Sequence, residues 1–204
     1  MNQKAFCDKW IYKINPDLPP MMLKNAIKQL KELKNYSKSI VSKDLSKPIE
    51  ENDTIYSPDY VGTVNQQIRN TTNDWIPWDH WLAGILHNLM IAANIDYYQY
   101  DLEFFDTRIQ ATSYEEGEYY DWHCDGNIVR PDGQERKLSI SLPLNDNFEG
   151  GEMEFQLIPE QTHKFELKAG EAIIFPSWLP HRVKPITKGH RYSLVAWMSG
   201  PKFK

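Results

Sequence analysis

The chain of 204 residues is 41% hydrophobic and 25% charged, with 28 acidic against 23 Lys and Arg residues and a formal charge of -5, which suits one globular unit and offers phosphate backbones no general attraction, so nucleic acid is not an expected partner. Two cysteines, Cys7 and Cys124, stand far apart in no C-x-x-C pair, which excludes a disulfide framework or thiolate zinc cluster and fits a reducing compartment. Neither a signal-peptide apolar run over 1–20 nor a run of roughly 18 apolar residues anywhere is present, so the expected setting is cytoplasmic with no membrane partner.

Over 21–36 the apolar residues Met22, Leu23, Ala26, Ile27, Leu30 and Leu33 recur at helical spacing between lysines, which predicts an amphipathic surface helix. The polar stretch 37–73, with Pro48, Pro58 and Gly62, reads as a long connection, loosely ordered or a functional flap. A second helix is predicted over 75–94, with Trp81, Ile85, Leu89 and Ala92 on one stripe and Pro77 in the first turn. His80 and His87, seven apart, share a face of that helix and read as helix support or surface.

After Phe104 the period changes to two. The clearest case is 137–144, where Leu138, Ile140, Leu142 and Leu144 face one way and Ser139 and Ser141 the other, the pattern of a half-buried strand. Further strands are predicted over 108–114, 119–123, 152–157, 164–167, 172–175, 181–186 and 191–198, separated by turns such as Asp125-Gly126, Gly150-Gly151 and Lys188-Gly189. Many short strands preceded by helices imply a mainly β fold, an antiparallel sandwich or barrel with N-terminal helices on an outer face. The domain reading is a single unit over 1–204, with 1–100 as helical support and substrate loops and 101–204 as the catalytic core.

Within that core, His123 and Asp125 lie one residue apart at a strand end, so their side chains share a face while Cys124 turns away and Gly126 lets the chain bend. His181 is the best-placed third ligand. Two histidines and a carboxylate leave metal positions open, as iron(II) oxygenases require. A hairpin of 181–186 with 191–198 would place Arg191 opposite Pro185, with its Cα about 13 Å from that of His181 by strand rise. A five-carbon dicarboxylate bridges such a gap, chelating the metal at one end and meeting Arg191 at the other, with Ser193 adding a hydroxyl. Trp122 and Trp178 flank the ligands and read equally as pocket wall or core. His163 and His190 read as solvated turn residues, and Arg182 and Lys184 as surface charge. The stretches 54–69 and 127–136, with Tyr56, Tyr60, Arg130 and Arg136, are the candidate recognition walls.

The ordered set Tyr114-Glu115-Glu116-Gly117, His123-x-Asp125, 138–145, Phe148-Glu149-Gly150-Gly151-Glu152, Gly170-Glu171, His181-x-Val183 and Gly189-x-Arg191-x-Ser193 through Trp197 resembles the 2-oxoglutarate- and iron-dependent dioxygenases of the prolyl 4-hydroxylase-like group. The resemblance implies a double-stranded β-helix, a cupin-like jelly-roll barrel. It implies His123, Asp125 and His181 as iron(II) ligands, Arg191 as partner of the distal 2-oxoglutarate carboxylate, and Tyr114 as a hydrogen-bonding residue for that co-substrate. It further implies oxygen as co-substrate, ascorbate as a reductant, and hydroxylation of an aliphatic carbon with release of succinate and carbon dioxide. Relatives that halogenate replace the acid at the Asp125 position, so hydroxylation is the expected outcome. A prolyl residue in a peptide or protein is the first substrate reading, and a free amino acid or other small metabolite the second. A non-catalytic metal-binding module or a zinc hydrolase ranks lower, since neither uses the Arg191 clamp. The nucleic-acid dealkylase branch carries Arg-x-Asn-x-x-x-Arg, whereas Ser193 and Trp197 stand at the Asn and second Arg positions here.

Overall fold

Residues whose side chains alternate between two environments build the second half of the chain, and in the computed structural model they form the walls of a barrel. The structure describes residues 10–32, 37–38, 41–42, 54–57, 60–63, 68–105, 108–126, 133–158 and 161–203. In chain order these form β1 (Tyr12–Ile14), α1 (Pro20–Glu32), β2 (Ser37–Lys38), β3 (Val41–Ser42), β4 (Thr54–Ser57), β5 (Tyr60–Thr63), β6 (Arg69–Asn70), β7 (Thr72–Pro77) and α2 (Trp81–Ala93). A π-helical turn, Asn94–Tyr98, leads on to β8 (Phe104–Phe105), β9 (Arg108–Tyr114), β10 (Tyr119–His123), β11 (Gln134–Pro143) and β12 (Glu149–Gly150). The remainder is β13 (Met153–Ile158), β14 (Gln161–Phe165), β15 (Ala172–Pro176), β16 (His181–Val183), β17 (Ile186–Lys188) and β18 (Arg191–Pro201).

The major sheet runs β1-β15-β11-β18-β9-β7-β2, with β8 also on β18, and the minor sheet runs β14-β13-β16-β10-β6. Every ladder among the described residues is antiparallel, and most neighbours are distant in sequence. The result is the mainly β, jelly-roll architecture with N-terminal helices that the sequence predicts.

Period two explains why both faces of the major sheet are apolar or polar by position. Leu138, Ile140 and Leu142 of β11 and Leu194, Ala196 and Met198 of β18 point outward into the main core, against Ala26 and Leu30 of α1 and Leu82, Leu86 and Met90 of α2. Leu86 and Met90 are 0% exposed, and burying a side chain of that size contributes about 1.5–3 kcal/mol. Alternate residues point into the barrel: Ile173 and Phe175 of β15 meet Phe155, Met153 and Leu179. At the start of α2 the His80 Nδ1 accepts the Leu82 N–H at 3.3 Å, the helix support read from the sequence.

Three local expectations change. Residues 75–77 are not the start of α2 but the end of β7, because Trp75 and Ile76 pair with Gln110 and Ile109 of β9 and Pro77 then ends the strand. Ladder formation with a buried neighbour outweighs the local helical pattern. The strand 137–144 is not half-buried: Ser139 and Ser141 are as enclosed as the leucines, facing the barrel interior rather than water. The segment 181–186 breaks into β16 and β17, which belong to different sheets. Pro185 between them lacks an N–H for a ladder. The predicted hairpin is therefore absent: β16 pairs with β10 and β13, while Arg191 on β18 lies opposite Tyr114 of β9.

A candidate metal and carboxylate site

Strand pairing assembles the first part of the site. His123 and His181 are direct cross-strand partners of β10 and β16, and Asp125 follows in the turn beyond β10. One ligand atom from each of His123, Asp125 and His181 lies within 4.8 Å of the others. The His123 Nε2 is 3.7 Å from Asp125 Oδ1, and the His181 Nε2 is 3.6 Å from Asp125 Oδ2. Each imidazole is oriented from behind: His123 Nδ1 lies 2.8 Å from the Asp121 carbonyl and His181 Nδ1 lies 2.9 Å from the Leu179 carbonyl. A carbonyl only accepts, so both Nδ1 atoms carry the proton and both Nε2 lone pairs face Asp125.

Electrostatics agree with a neutral His123 ring. Burial, with His181 adjoining, pushes His123 down to about 3 against the pull of Asp125, so its ring is neutral near pH 7. Burial pushes the Asp125 carboxyl upward, but His181, His123 and Arg136 outweigh it and hold the group at about 2. Two aimed imidazole nitrogens and an ionised carboxylate are the donor set that iron(II) takes in sites with open positions.

The His123 ring is also clamped from one side. Tyr120 stacks on it at 3.5 Å between centroids with 9° between planes, and the buried Arg69 guanidinium lies 4.4 Å over the other ring of that pair. Gly126 follows Asp125 because its backbone passes against Ser177: a Cβ there would meet the Ser177 carbonyl carbon at 3.2 Å and the Trp178 nitrogen at 3.3 Å. Its N–H donates to the Ser177 carbonyl at 2.8 Å. The glycine stands in the turn expected of it, and its missing Cβ also permits this close approach.

The second part of the site comes from β18. Arg191, Ser193, Val195 and Trp197 alternate onto the cavity that also holds the metal cluster, together with Tyr114 and Gln110 of β9. Arg191 is 3% exposed, donates from Nη1 to Ser193 Oγ at 2.8 Å, and lies 5.2 Å over the Tyr114 ring. No carboxylate among the described residues pairs with it. Burial lowers its proton affinity, with Tyr114 opposing, yet a guanidinium stays charged. Burial also raises the Tyr114 phenol, against Arg69 and Arg191, so it is a proton-bearing donor. A buried cation with donors beside it and no anion of its own fits a ligand carboxylate.

Other expectations divide. Cys124 does not turn away but lines the cavity, with its thiol pushed up by burial. Arg136 also lines it, 3.8 Å over the Trp197 ring, whereas Arg130 and the side chains of Tyr56 and Tyr60 lie outside the described residues. Trp122 and Trp178 do not line it: one carries Arg182 at 4.7 Å over its ring, and the other meets Trp10 edge-on. Arg182 is held by Glu154 at 2.7 Å. His190 is not a solvated turn residue, since it bonds Ser113 and stacks on Tyr192, and His163 lies within β14. Arg69, at the end of the predicted 54–69 wall, lines the cavity, and residues that sequence reasoning missed there include Trp75, Gln110 and Ser141. The serines opposite the leucines of 137–144 were the one available signal.

Comparison with known proteins bears on the same region. Residues 109–199 match the 2OG-Fe(II) oxygenase superfamily. A PKHD-type hydroxylase of Synechococcus sp. (strain CC9605) is 34% identical over 82 residues, 40% of this chain and 37% of that protein. Another, from Idiomarina loihiensis, is 34% identical over 94 residues, 45% of this chain and 41% of that protein. The chain thus spans about two fifths of the length of the curated relatives it matches. Among solved structures, a Pseudomonas putida prolyl-4-hydroxylase superposes with a TM-score of 0.68 at 20% identity, covering 98% of this chain and 97% of that one. A Trichoplax adhaerens prolyl hydroxylase in complex with a hypoxia inducible factor peptide fragment gives a TM-score of 0.70 at 19% identity, covering 96% and 86%.

Proposed function

We propose that the chain, whose residues 109–199 match the 2OG-Fe(II) oxygenase superfamily, is an oxygenase of the prolyl 4-hydroxylase-like group that hydroxylates an aliphatic carbon, with a prolyl residue of a peptide or protein as substrate and succinate and carbon dioxide as co-products. The observation that carries this reading is the convergence, on one cavity, of the His123, Asp125 and His181 ligand atoms with the buried guanidinium of Arg191. When bound, iron(II) supplies the activation of oxygen, with 2-oxoglutarate as the two-electron reductant and one oxygen atom passing to the substrate carbon.

In this reading the protein's own contribution is placement. His123 and His181 offer neutral nitrogens whose direction the Asp121 and Leu179 carbonyls set. Asp125 adds a negative charge at the same point. Arg191 receives the distal carboxylate of 2-oxoglutarate, and Tyr114 and Ser193 donate beside it. Phe175, Met153, Val183 and Val195 line the same space and exclude water, which strengthens that ion pair. The peptide reading draws support from the peptide fragment bound to the Trichoplax structure of the same fold. The whole chain, 1–204, acts as one catalytic unit in this proposal, in a cytoplasmic setting and with ascorbate as reductant.

The test is anaerobic titration with iron(II) and 2-oxoglutarate, read by the visible metal-to-ligand charge-transfer band, then succinate release in air. His123→Ala and His181→Ala abolish both signals. Undiminished succinate in those variants refutes the metal assignment. A proline-rich peptide that binds where free proline and other metabolites do not separates the peptide substrate from a small one.

A further inference from the structure

Two serines at 0% exposure, Ser139 of β11 and Ser177 of the turn after β15, stand behind the metal cluster rather than on the cavity wall. Ser139 Oγ donates to Asp125 Oδ2 at 2.8 Å, and Ser177 Oγ lies 2.9 Å from Ser139 Oγ. A hydroxyl has one proton. With that of Ser139 committed to the carboxylate, Ser177 must donate to Ser139, so the chain of bonds runs one way, from Ser177 through Ser139 to Asp125. The Ser177 backbone is tied to the same elements: its N–H donates to the Lys137 carbonyl at 2.9 Å, and its carbonyl accepts the Gly126 N–H at 2.8 Å. Four residues later the chain reaches His181. One residue therefore joins the strand of Ser139, the turn of Asp125 and the arm that carries the third ligand.

Space-filling does not require this. Buried hydroxyls cost free energy unless bonded, and neighbouring positions of β11 are filled by leucine and isoleucine. What the hydroxyls add is direction at one carboxylate oxygen. Resting on the metal-site reading above, we propose that Ser139 and Ser177 are positioning residues, a one-way relay that engages Asp125 Oδ2 and holds the carboxylate in one orientation beside the His123 and His181 nitrogens.

The experiment is calorimetric titration of the full chain with Mn(II), which binds without turnover, for the wild type, Ser139→Ala, Ser177→Ala and the double variant, with thermal melting of each metal-free protein alongside. Ser139→Ala weakens Mn(II) binding about 10- to 100-fold, the usual loss when a group behind a ligand is removed. Ser177→Ala weakens it less, and adds nothing in the Ser139→Ala background because its only route to Asp125 is already cut. Folded variants with Mn(II) affinity within about twofold of wild type, or losses that add, overturn the relay. If Ser139→Ala does not fold, Ser177→Ala decides alone, since it leaves the Asp125 hydrogen bond intact. Mn(II) binding by the wild type that His123→Ala removes, together with unchanged serine variants, sinks the relay and spares the metal site; no wild-type binding sinks both.

Discussion

Replacing Arg191 with methionine is expected to move stability and co-substrate binding in opposite directions. In the protein without 2-oxoglutarate, the guanidinium is 3% exposed and no carboxylate among the described residues compensates it. Its desolvation costs several kcal/mol, against which stand one hydrogen bond to Ser193, worth about 1 kcal/mol, and the contact over the Tyr114 ring, worth about 0.5–2 kcal/mol. Methionine keeps much of the apolar stem and removes the charge, so a net gain of about 1–2 kcal/mol is expected, or roughly 2–8 °C in melting temperature. Binding goes the other way. Breaking a buried ion pair by removing one partner costs about 3–5 kcal/mol, which is about 150- to 5000-fold in the 2-oxoglutarate dissociation constant. The assay is thermal melting with Mn(II) present, with and without 2-oxoglutarate at about 100 times its wild-type dissociation constant. There the wild type gains about 2.7 kcal/mol, or about 5–10 °C, and Arg191→Met gains at most about 0.3 kcal/mol, or about 1 °C. A variant that melts lower than wild type yet keeps the 2-oxoglutarate shift would refute the argument that this charge is buried for a ligand.

Gly126→Ala brings a Cβ to 3.2 Å from backbone of Ser177, which has no flexible end to yield, so a loss of about 1–3 kcal/mol by denaturant unfolding is expected together with weaker Mn(II) binding. Phe155→Ala empties a 0% exposed position packed on Phe175 and on the His181 ring, and is expected to cost about 3–5 kcal/mol by the same measurement. Lys13→Met removes the 2.8 Å pair with Glu171, whose carboxyl is held low: burial opposes, but the Lys13 ammonium and the Lys168 backbone N–H prevail. A depressed carboxyl stabilises above its unfolded range and loses that contribution as pH falls through its folded value. The difference between Lys13→Met and wild type should therefore be about 0.2–1 kcal/mol at pH 7 and vanish below the ordinary glutamate range, as measured by urea unfolding across pH.

Much of the site was visible along the chain because its chemistry is carried by residue type and by spacing within one strand. Arg191, Ser193 and Trp197 share a face by period two, and His123-x-Asp125 was legible as a ligand pair from residue type and spacing, although the turn beyond β10 carries Asp125. The misreadings all concern what a strand faces or pairs with. Trp75 looked helical until β9 supplied its ladder, and Ser139 looked solvent-facing until the minor sheet closed over it.

Local sequence therefore determined the mainly β class, the division of a strand's side chains into two sets, and the candidate ligands with their guanidinium. Only the tertiary structure decided that His123 stands opposite His181, that Arg191 stands opposite Tyr114 rather than Pro185, and that two serines back the carboxylate. The physical reason is that side-chain alternation is a property of a single strand, whereas register and neighbour are settled by the joint burial of segments as far apart as Tyr12 and Ile174, a competition no single segment records.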